Sequence, residues 1–373
     1  MSTIKVNNIV PPNVGEGVSI DGLQMPTAGA LSNRNLVING AMGVDQRNDS
    51  SAVGTNGSYV CDRFQIIHSS NGVFSAQQIV EAPDEFKTSL KVTTTTADSS
   101  GLTASQQLVV RQLVEGFNTI HTAFGKSAAK TLSLSFWVRS SLTGTFGGSI
   151  SNSAENRSYV YSYTIDTANT WEYKTIAIAG DTSGTWLVNN GIGIRVNWSL
   201  GAGPDISEAA GSWYASSERG VTGGTSVIDT LNATWQITGV QLEVGSKATP
   251  FEHESYSQTL AKCQRYYTRV IAHTTNGRMA TAGNGSVAGC FPTLFLPTTM
   301  RAQPSIDVSS VSHFTTEGIA GGGTQTCTAI SFNAASSTAV TLNVSASGGS
   351  STATGGQLLA NTTDAFLEII AEL

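Results

Sequence analysis

From Asn33 to about Glu254, apolar residues alternate with small polar ones in short segments separated by Gly, Asn, Ser and Asp turns. A period of two buries one face of a strand, and its repetition between turn signals predicts a β-sandwich. Strands are expected at Leu36–Ala41, Arg63–His68, Ser89–Thr94, Gln107–Val114, Leu132–Arg139, Ser158–Ile165, Tyr173–Ile178, Ile192–Trp198 and Trp235–Val244. The last carries Ile237, Val240, Leu242 and Val244 near that period and stops before Pro250, which has no N–H for a ladder. Tyr256, Leu260 and Cys263 then follow at i, i+4 and i+7, the stripe of one short helix. A further helical turn is expected at Asn118–Phe124.

The pattern changes on either side. Residues 1–32 contain little to bury and the pair Pro11-Pro12, which suits an extended arm. Beyond Thr268 the chain is punctuated by Pro292, Pro297 and Pro304, and no Lys or Arg follows Arg301. Val308–Phe314, Ala329–Asn333, Ala339–Val344 and Phe366–Leu373 read as strands of a smaller β domain, with loops at 321–324 and 345–356. The expected class is therefore all-β. It comprises an arm over 1–32, a jelly-roll sandwich over 33–254, a short helix and linker strand over 255–270, and a C-terminal β domain over 271–373.

Composition narrows the partners. Only 12% of residues are charged and the net charge is −6, which argues against nucleic acid, because phosphate binding needs clustered Lys and Arg. The 39% hydrophobic content and 6 Trp are enough to fill real cores, so low charge does not mean disorder here. No run approaches the roughly 20 apolar residues of a membrane span, and the N-terminus lacks a signal-peptide run. Cys61, Cys263, Cys290 and Cys327 show no metal or redox spacing; they read as reduced core residues, with one or two disulfides as the alternative.

Two blocks carry a family resemblance. Gln241-Leu-Glu243, Thr249-Pro-Phe-Glu252 and Cys263-Gln-Arg-Tyr-Tyr267 recur in this order in the carbohydrate-binding-module-like jelly roll of bacteriophage tail fibre proteins. Asn35-Leu-Val-Ile-Asn-Gly40, Asp45-Gln-Arg47 and Asp62-Arg-Phe64 resemble the opening of the same module. The resemblance covers Met1–Asn8 and most of Asn33–Tyr267. It implies a virion tail fibre that recognises host surface glycans, made in the host cytoplasm, joined to other tail proteins through the arm and assembled as a homotrimer. The alternatives are a purely structural fibre-base or collar protein and, weakest, a polysaccharide-cleaving tailspike.

Sugar recognition by a jelly roll needs flat aromatic faces with polar neighbours to read hydroxyls. Trp186, Trp198, Trp213 and Tyr214 are the candidates, because Gly, Asn and Ser surround them; Trp213-Tyr214 is the preferred pair. A hydrophobic plug over one end of the sandwich is the competing role for each. Trp137 reads as core or sheet-covering. Related sugar-binding jelly rolls hold a structural Ca²⁺, and the resemblance offers Glu243 as a ligand. No cofactor is otherwise implied. Asp205 and Glu208 lie near Trp213, but no nucleophile, phosphate loop or facing carboxylate pair is evident, so the chain reads as a non-enzyme.

Overall fold

The computed structural model describes residues 33–283, 289–317, 324–347 and 356–373, together with the short paired strands Ser19–Ile20 and Leu23–Gln24. The rest of the expected arm, and most of the loops expected at 321–324 and 345–356, lie outside the described residues. The chain divides into two units, Met1–Thr259 and Leu260–Leu373.

The first unit contains β1 (Tyr59–Cys61), β2 (Phe64–His68), β3 (Val73–Ile79), β4 (Ser89–Thr96), β5 (Gln107–Glu115) and β6 (Leu132–Ser140). It continues with β7 (Gly144–Ser151), β8 (Ser158–Ile165), β9 (Glu172–Ile178), β10 (Ile192–Ala202), β11 (Trp213–Tyr214) and β12 (Thr234–Val244). Two antiparallel sheets result, one in the order β11-β8-β7-β10-β5-β2-β1 and one in the order β9-β6-β12-β4-β3. Their facing sides interdigitate as one core: Phe64, Ile66, Val110, Phe146, Tyr161, Val196 and Trp198 meet Phe74, Leu90, Val92, Leu134, Phe136, Trp235 and Leu242. This is a jelly-roll β-sandwich.

β7 was not anticipated, because Gly-Thr-Phe-Gly-Gly-Ser-Ile-Ser is poor in strand formers. Its ladders to β8 and β10 hold it, and Gly148 is needed there. A methyl at that position would lie 2.5 Å from the Tyr161 hydroxyl and 2.0 Å from the Asn197 carbonyl. The strand expected at Leu36–Ala41 is instead a turn, since Asn39 and Met42 take positive φ of 62° and 53°. The helical turn expected at Asn118–Phe124 is a pair of 3₁₀ turns, Gly116–Asn118 and Ile120–Thr122.

The residues carrying the sequence resemblance do structural work. Asn39 Nδ2 donates to the Val44 and Asp62 carbonyls at 2.8 and 2.9 Å, and Asp62 Oδ1 accepts from the Gln46 amide at 3.0 Å. Asn35 ties the opening segment to the closing strand, donating to the Val240 carbonyl at 2.9 Å and accepting from the Leu242 amide at 3.0 Å.

Helix α1 (Tyr256–Gln264) contains the point, between Thr259 and Leu260, at which the units divide. In the second unit follow β13 (Tyr267–Ile271), β14 (Arg278–Gly283), β15 (Gly289–Phe295), β16 (Ser305–Val308), β17 (Phe314–Glu317), β18 (Gln325–Ala335), β19 (Ala339–Ala346), β20 (Gly356–Ala360) and β21 (Phe366–Ile370). Strands β14-β15-β19-β18-β17-β20 close a barrel, and β13-β21-β16 form a separate sheet. β13, expected in the linker, thus belongs to the second unit, where Tyr267 pairs with Ile370 in register. The strand expected at Val308–Phe314 is interrupted: β16 ends at Val308 and a 3₁₀ turn, Val311–His313, precedes β17. All four cysteines are buried and no disulfide joins them.

Candidate functional site

Strand alternation assigns the side chains of β6 to opposite faces. Leu132, Leu134, Phe136 and Val138 enter the core; Ser133, Ser135, Trp137 and Arg139 point outward. On the neighbouring β9, Tyr173 is the register partner of Trp137. The two rings lie 5.4 Å apart at 48°, with Trp137 half-buried and Tyr173 42% exposed. Burial raises the Tyr173 phenol pKa, against a weaker opposing hydrogen bond with Ser135. It therefore stays protonated at neutral pH and able to donate. A hollow of about 430 Å³ adjoins the pair, walled by Glu85, Gly239, Thr249, Pro250 and Phe251.

Gly239 makes this geometry possible. It sits at a register break of β12 with φ of 62°, and a methyl there would lie 2.7 Å from Phe86 Cζ and 3.0 Å from Trp137 Cδ1. Phe86, Phe251 and His253 continue the aromatic surface, with centroids 5.0 Å (Phe86–Phe251), 4.9 Å (Phe251–His253) and 5.4 Å (Phe86–His253) apart. Beyond them opens a second cavity of about 490 Å³, which shares Glu85 and Phe251 with the first. Asn35, Ser50, Gln78, Lys87, His253 and Tyr256 also line it, and Tyr256 is 63% exposed.

The loop carrying Phe251 and His253 is pinned from beneath. Glu252 Oε2 accepts from the Arg34 and Asn35 amides at 2.6 and 3.0 Å, and the Glu252 amide donates to Gln241 Oε1 at 2.8 Å. Such anchoring lowers the ordering cost of presenting the aromatic surface at binding. Chemically, the surface offers stacking faces flanked by the Glu85 carboxylate, which can accept sugar hydroxyls. Among the described residues it holds no nucleophile–base pair.

The sequence candidates fall elsewhere. Trp198 is a correction: it is fully buried between Phe64 and Phe136, at centroid distances of 6.2 and 6.1 Å, so neither face of its ring can meet a sugar. Its place in the alternation Ile194, Val196, Trp198, Leu200 outweighs its polar neighbours. Trp186 and Trp213 do come together, 5.6 Å apart at 84°, but both pack edgewise on Phe124 and against the core. The Trp213 indole N–H donates to the Ala179 carbonyl at 2.9 Å, and that of Trp186 to Asp181 Oδ2 at 3.2 Å. Asp181, 2% exposed, also receives two hydrogen bonds from Arg157, which lies over the Trp213 ring at 5.6 Å. Tyr214 hydrogen-bonds through its hydroxyl to the Ala209 carbonyl at 2.8 Å. The two tryptophans pack as the competing role, a hydrophobic plug, would have them, and all three candidates stay half-buried.

Glu243 is engaged within the protein. It is 2% exposed, and its Oε1 accepts from Gln241 and from the Thr249 amide at 2.9 and 2.8 Å. Its Oε2 accepts from the Thr249 hydroxyl at 2.8 Å and faces Arg34 Nε at 3.6 Å. Both oxygens are thus engaged by donors and a guanidinium inside the sandwich. Among the described residues, no group of three or more His, Cys, Asp or Glu is placed to hold a metal ion. Asp205 and Glu208 are exposed.

Trp137, Tyr173, Phe86 and His253 were not singled out as sugar-binding candidates. For Trp137 the signal was present: it falls on the Ser133/Ser135 side of its strand, not the Leu134/Phe136 side.

The fold and this surface define an all-β protein with one jelly-roll sandwich, one small closed barrel and an open aromatic cleft on the sandwich. Neither a family model nor a curated protein sequence matches the chain. Solved structures similar to it include the enzymatically active domain of tailspike protein 4 of bacteriophage CBA120, at 14% identity, covering 56% of this chain and 21% of that one, with a TM-score of 0.30. A sugar-binding protein from Bacteroides thetaiotaomicron, so described at the level of its proposed role, is similar at 11% identity over 57% of this chain and 100% of its own, with a TM-score of 0.33. A family 11 carbohydrate-binding module from Clostridium thermocellum is similar at 15% identity over 54% and 98%, with a TM-score of 0.27.

Proposed function

We propose that this protein is a tail fibre component of a bacterial virus that binds host surface glycans through the Trp137–Tyr173 surface. The observation that carries glycan binding is two aromatic rings in direct cross-strand register on the otherwise polar outer face of a sheet, beside a hollow walled by Glu85 and Thr249. Aromatic faces take the apolar side of a sugar ring, and rim carboxylates and hydroxyls fix its orientation. The viral role is supported by the ordered sequence blocks of both ends of the sandwich, and attachment is assigned to residues 1–32.

In this reading the protein binds and does not catalyse. It acts as a homotrimer, and the barrel supplies a face suited to another copy of the chain. Phe291 and Phe295 on β15 are 37% and 81% exposed, flank the Thr293–Thr341 hydroxyl contact, and lie in a sequence region without Lys or Arg. A single shallow site binds weakly. Several copies on one particle make later contacts intramolecular and add roughly two to four orders of magnitude.

The test is a glycan microarray probed with the wild-type protein and a Trp137→Ala/Tyr173→Ala variant. Saturable binding lost in the variant supports the reading. Binding that the variant retains, or none by a folded trimer, overturns it.

A further inference from the structure

The opposite outer face of the sandwich, that of the seven-stranded sheet, carries a different chemistry. Across five consecutive strands the register aligns Tyr59, Gln65, Arg111, Asn197 and Ser149 in one row. All five point away from the core, since their neighbours Val60, Phe64, Ile66, Val110, Val196 and Ile150 fill it. Asn197 and Ser149 are buried, with Ser149 donating to the Glu218 carbonyl at 2.7 Å, so Tyr59, Gln65 and Arg111 form the half-buried end of the row. Arg47 lies over the Tyr59 ring at 4.2 Å.

The charges beside this row do not balance. Glu155 is its nearby carboxylate, and both of its oxygens are engaged: Oε1 with Arg195 Nε at 3.1 Å, Oε2 with Arg219 and with the Ser217 hydroxyl at 3.2 Å. Arg111 feels that carboxylate only at longer range, without a hydrogen bond to it. Its Nε donates to Gln65 Oε1 at 2.9 Å, and its two terminal nitrogens make no hydrogen bond among the described residues. Burial, and then the neighbouring Arg195, push its guanidinium down to about 10. A half-buried guanidinium crowded by a second cation, with its fork open, is a site short of one anion.

We propose that the half-buried end of this row binds a saccharide bearing an oxyanion, whose carboxylate or phosphate pairs with the fork of Arg111 while its sugar ring lies along Gln65 toward Tyr59. The site stands on a different face and different residues from the Trp137 surface, so neither depends on the other.

Thermal shift and calorimetry of the full chain test it, with four probes: inorganic phosphate, digalacturonate, sialyllactose and, as the neutral control, lactose. Wild-type protein is expected to bind at least one acidic saccharide about tenfold tighter than lactose, with affinity falling as salt is raised. Arg111→Gln is expected to abolish that preference, and Arg111→Lys to restore only part of it, because an ammonium lacks the fork. The Tm of unliganded Arg111→Gln should equal or exceed wild type, since the substitution removes an uncompensated charge. Equal binding of acidic and neutral saccharides, or an acid preference that survives in Arg111→Gln, overturns the proposal. So does a fall in Tm in that variant, which makes Arg111 a structural residue. Binding of phosphate alone, with neither acidic saccharide bound, overturns the saccharide assignment.

Discussion

The sandwich contains two aromatic pairs whose local sequence points one way and whose packing points the other. Trp186 and Trp213 sit among Gly, Ser and Thr, yet their rings lean on Phe124, their indole N–H groups are taken by Asp181 and the Ala179 carbonyl, and Arg157 covers Trp213. Trp137 sits between Phe136 and Val138, yet stands on the open face beside Tyr173. Neighbours in sequence report solvent exposure poorly in a β protein, because adjacent residues face opposite ways. The parity of the strand position decides.

Four perturbations break or sharpen that contrast. The largest effect is expected from Asp181→Ala, which strands the Arg157 charge. Loss of one partner of so enclosed an ion pair costs about 3–5 kcal/mol, read by denaturant unfolding, while glycan affinity of the folded fraction stays unchanged. Trp137→Ala should do the reverse. It should weaken glycan binding about tenfold or more, ~1.4 kcal/mol, with Tm nearly unmoved. Gly239→Ala should couple the two readouts. A left-handed alanine costs about 1–2 kcal/mol, and displacement of Phe86 and Trp137 lowers affinity as well. Retained affinity in Gly239→Ala would show that the two rings need not be held together.

The smallest effect is a pH dependence on the other face. Burial alone would raise the Glu155 pKa, but Arg219 and Arg195 outweigh it and hold it below the ordinary 4.5. A depressed carboxyl pKa contributes stability that is complete above 4.5 and is lost as pH falls through the folded value. Acid titration of Tm should therefore show a component below about pH 4.5 that Glu155→Gln removes, with Trp137-dependent binding unaffected.

Much of the fold was legible in the sequence. The strands at Gln107, Leu132, Ser158 and Thr234 follow from alternation alone, and the helix after Pro250 from its i, i+4, i+7 stripe. β7 was hidden because its glycines serve close packing, Gly148 against the Tyr161 ring and Gly147 against Val221, not strand propensity. The Leu36–Ala41 misreading came from counting apolar residues across an Asn-Gly turn. The site was harder to see. Its wall joins Glu85 and Phe86 to Phe251 and His253, residues far apart in sequence that meet only when β12 closes the sandwich. Glu243 looked available for a cation because its true partners, Arg34 and Thr249, lie on other segments.

The account's central claim is that sugar meets the Trp137 surface and not the Trp186–Trp213 plug. Fluorotryptophan-labelled protein, with its 6 tryptophan signals assigned by single Trp→Phe variants, tests this by fluorine NMR during titration with an array-selected glycan. A shift of the Trp137 signal that saturates with binding, while those of Trp186 and Trp213 hold still, is the predicted result. Movement of the Trp186 and Trp213 signals with Trp137 unchanged would contradict it.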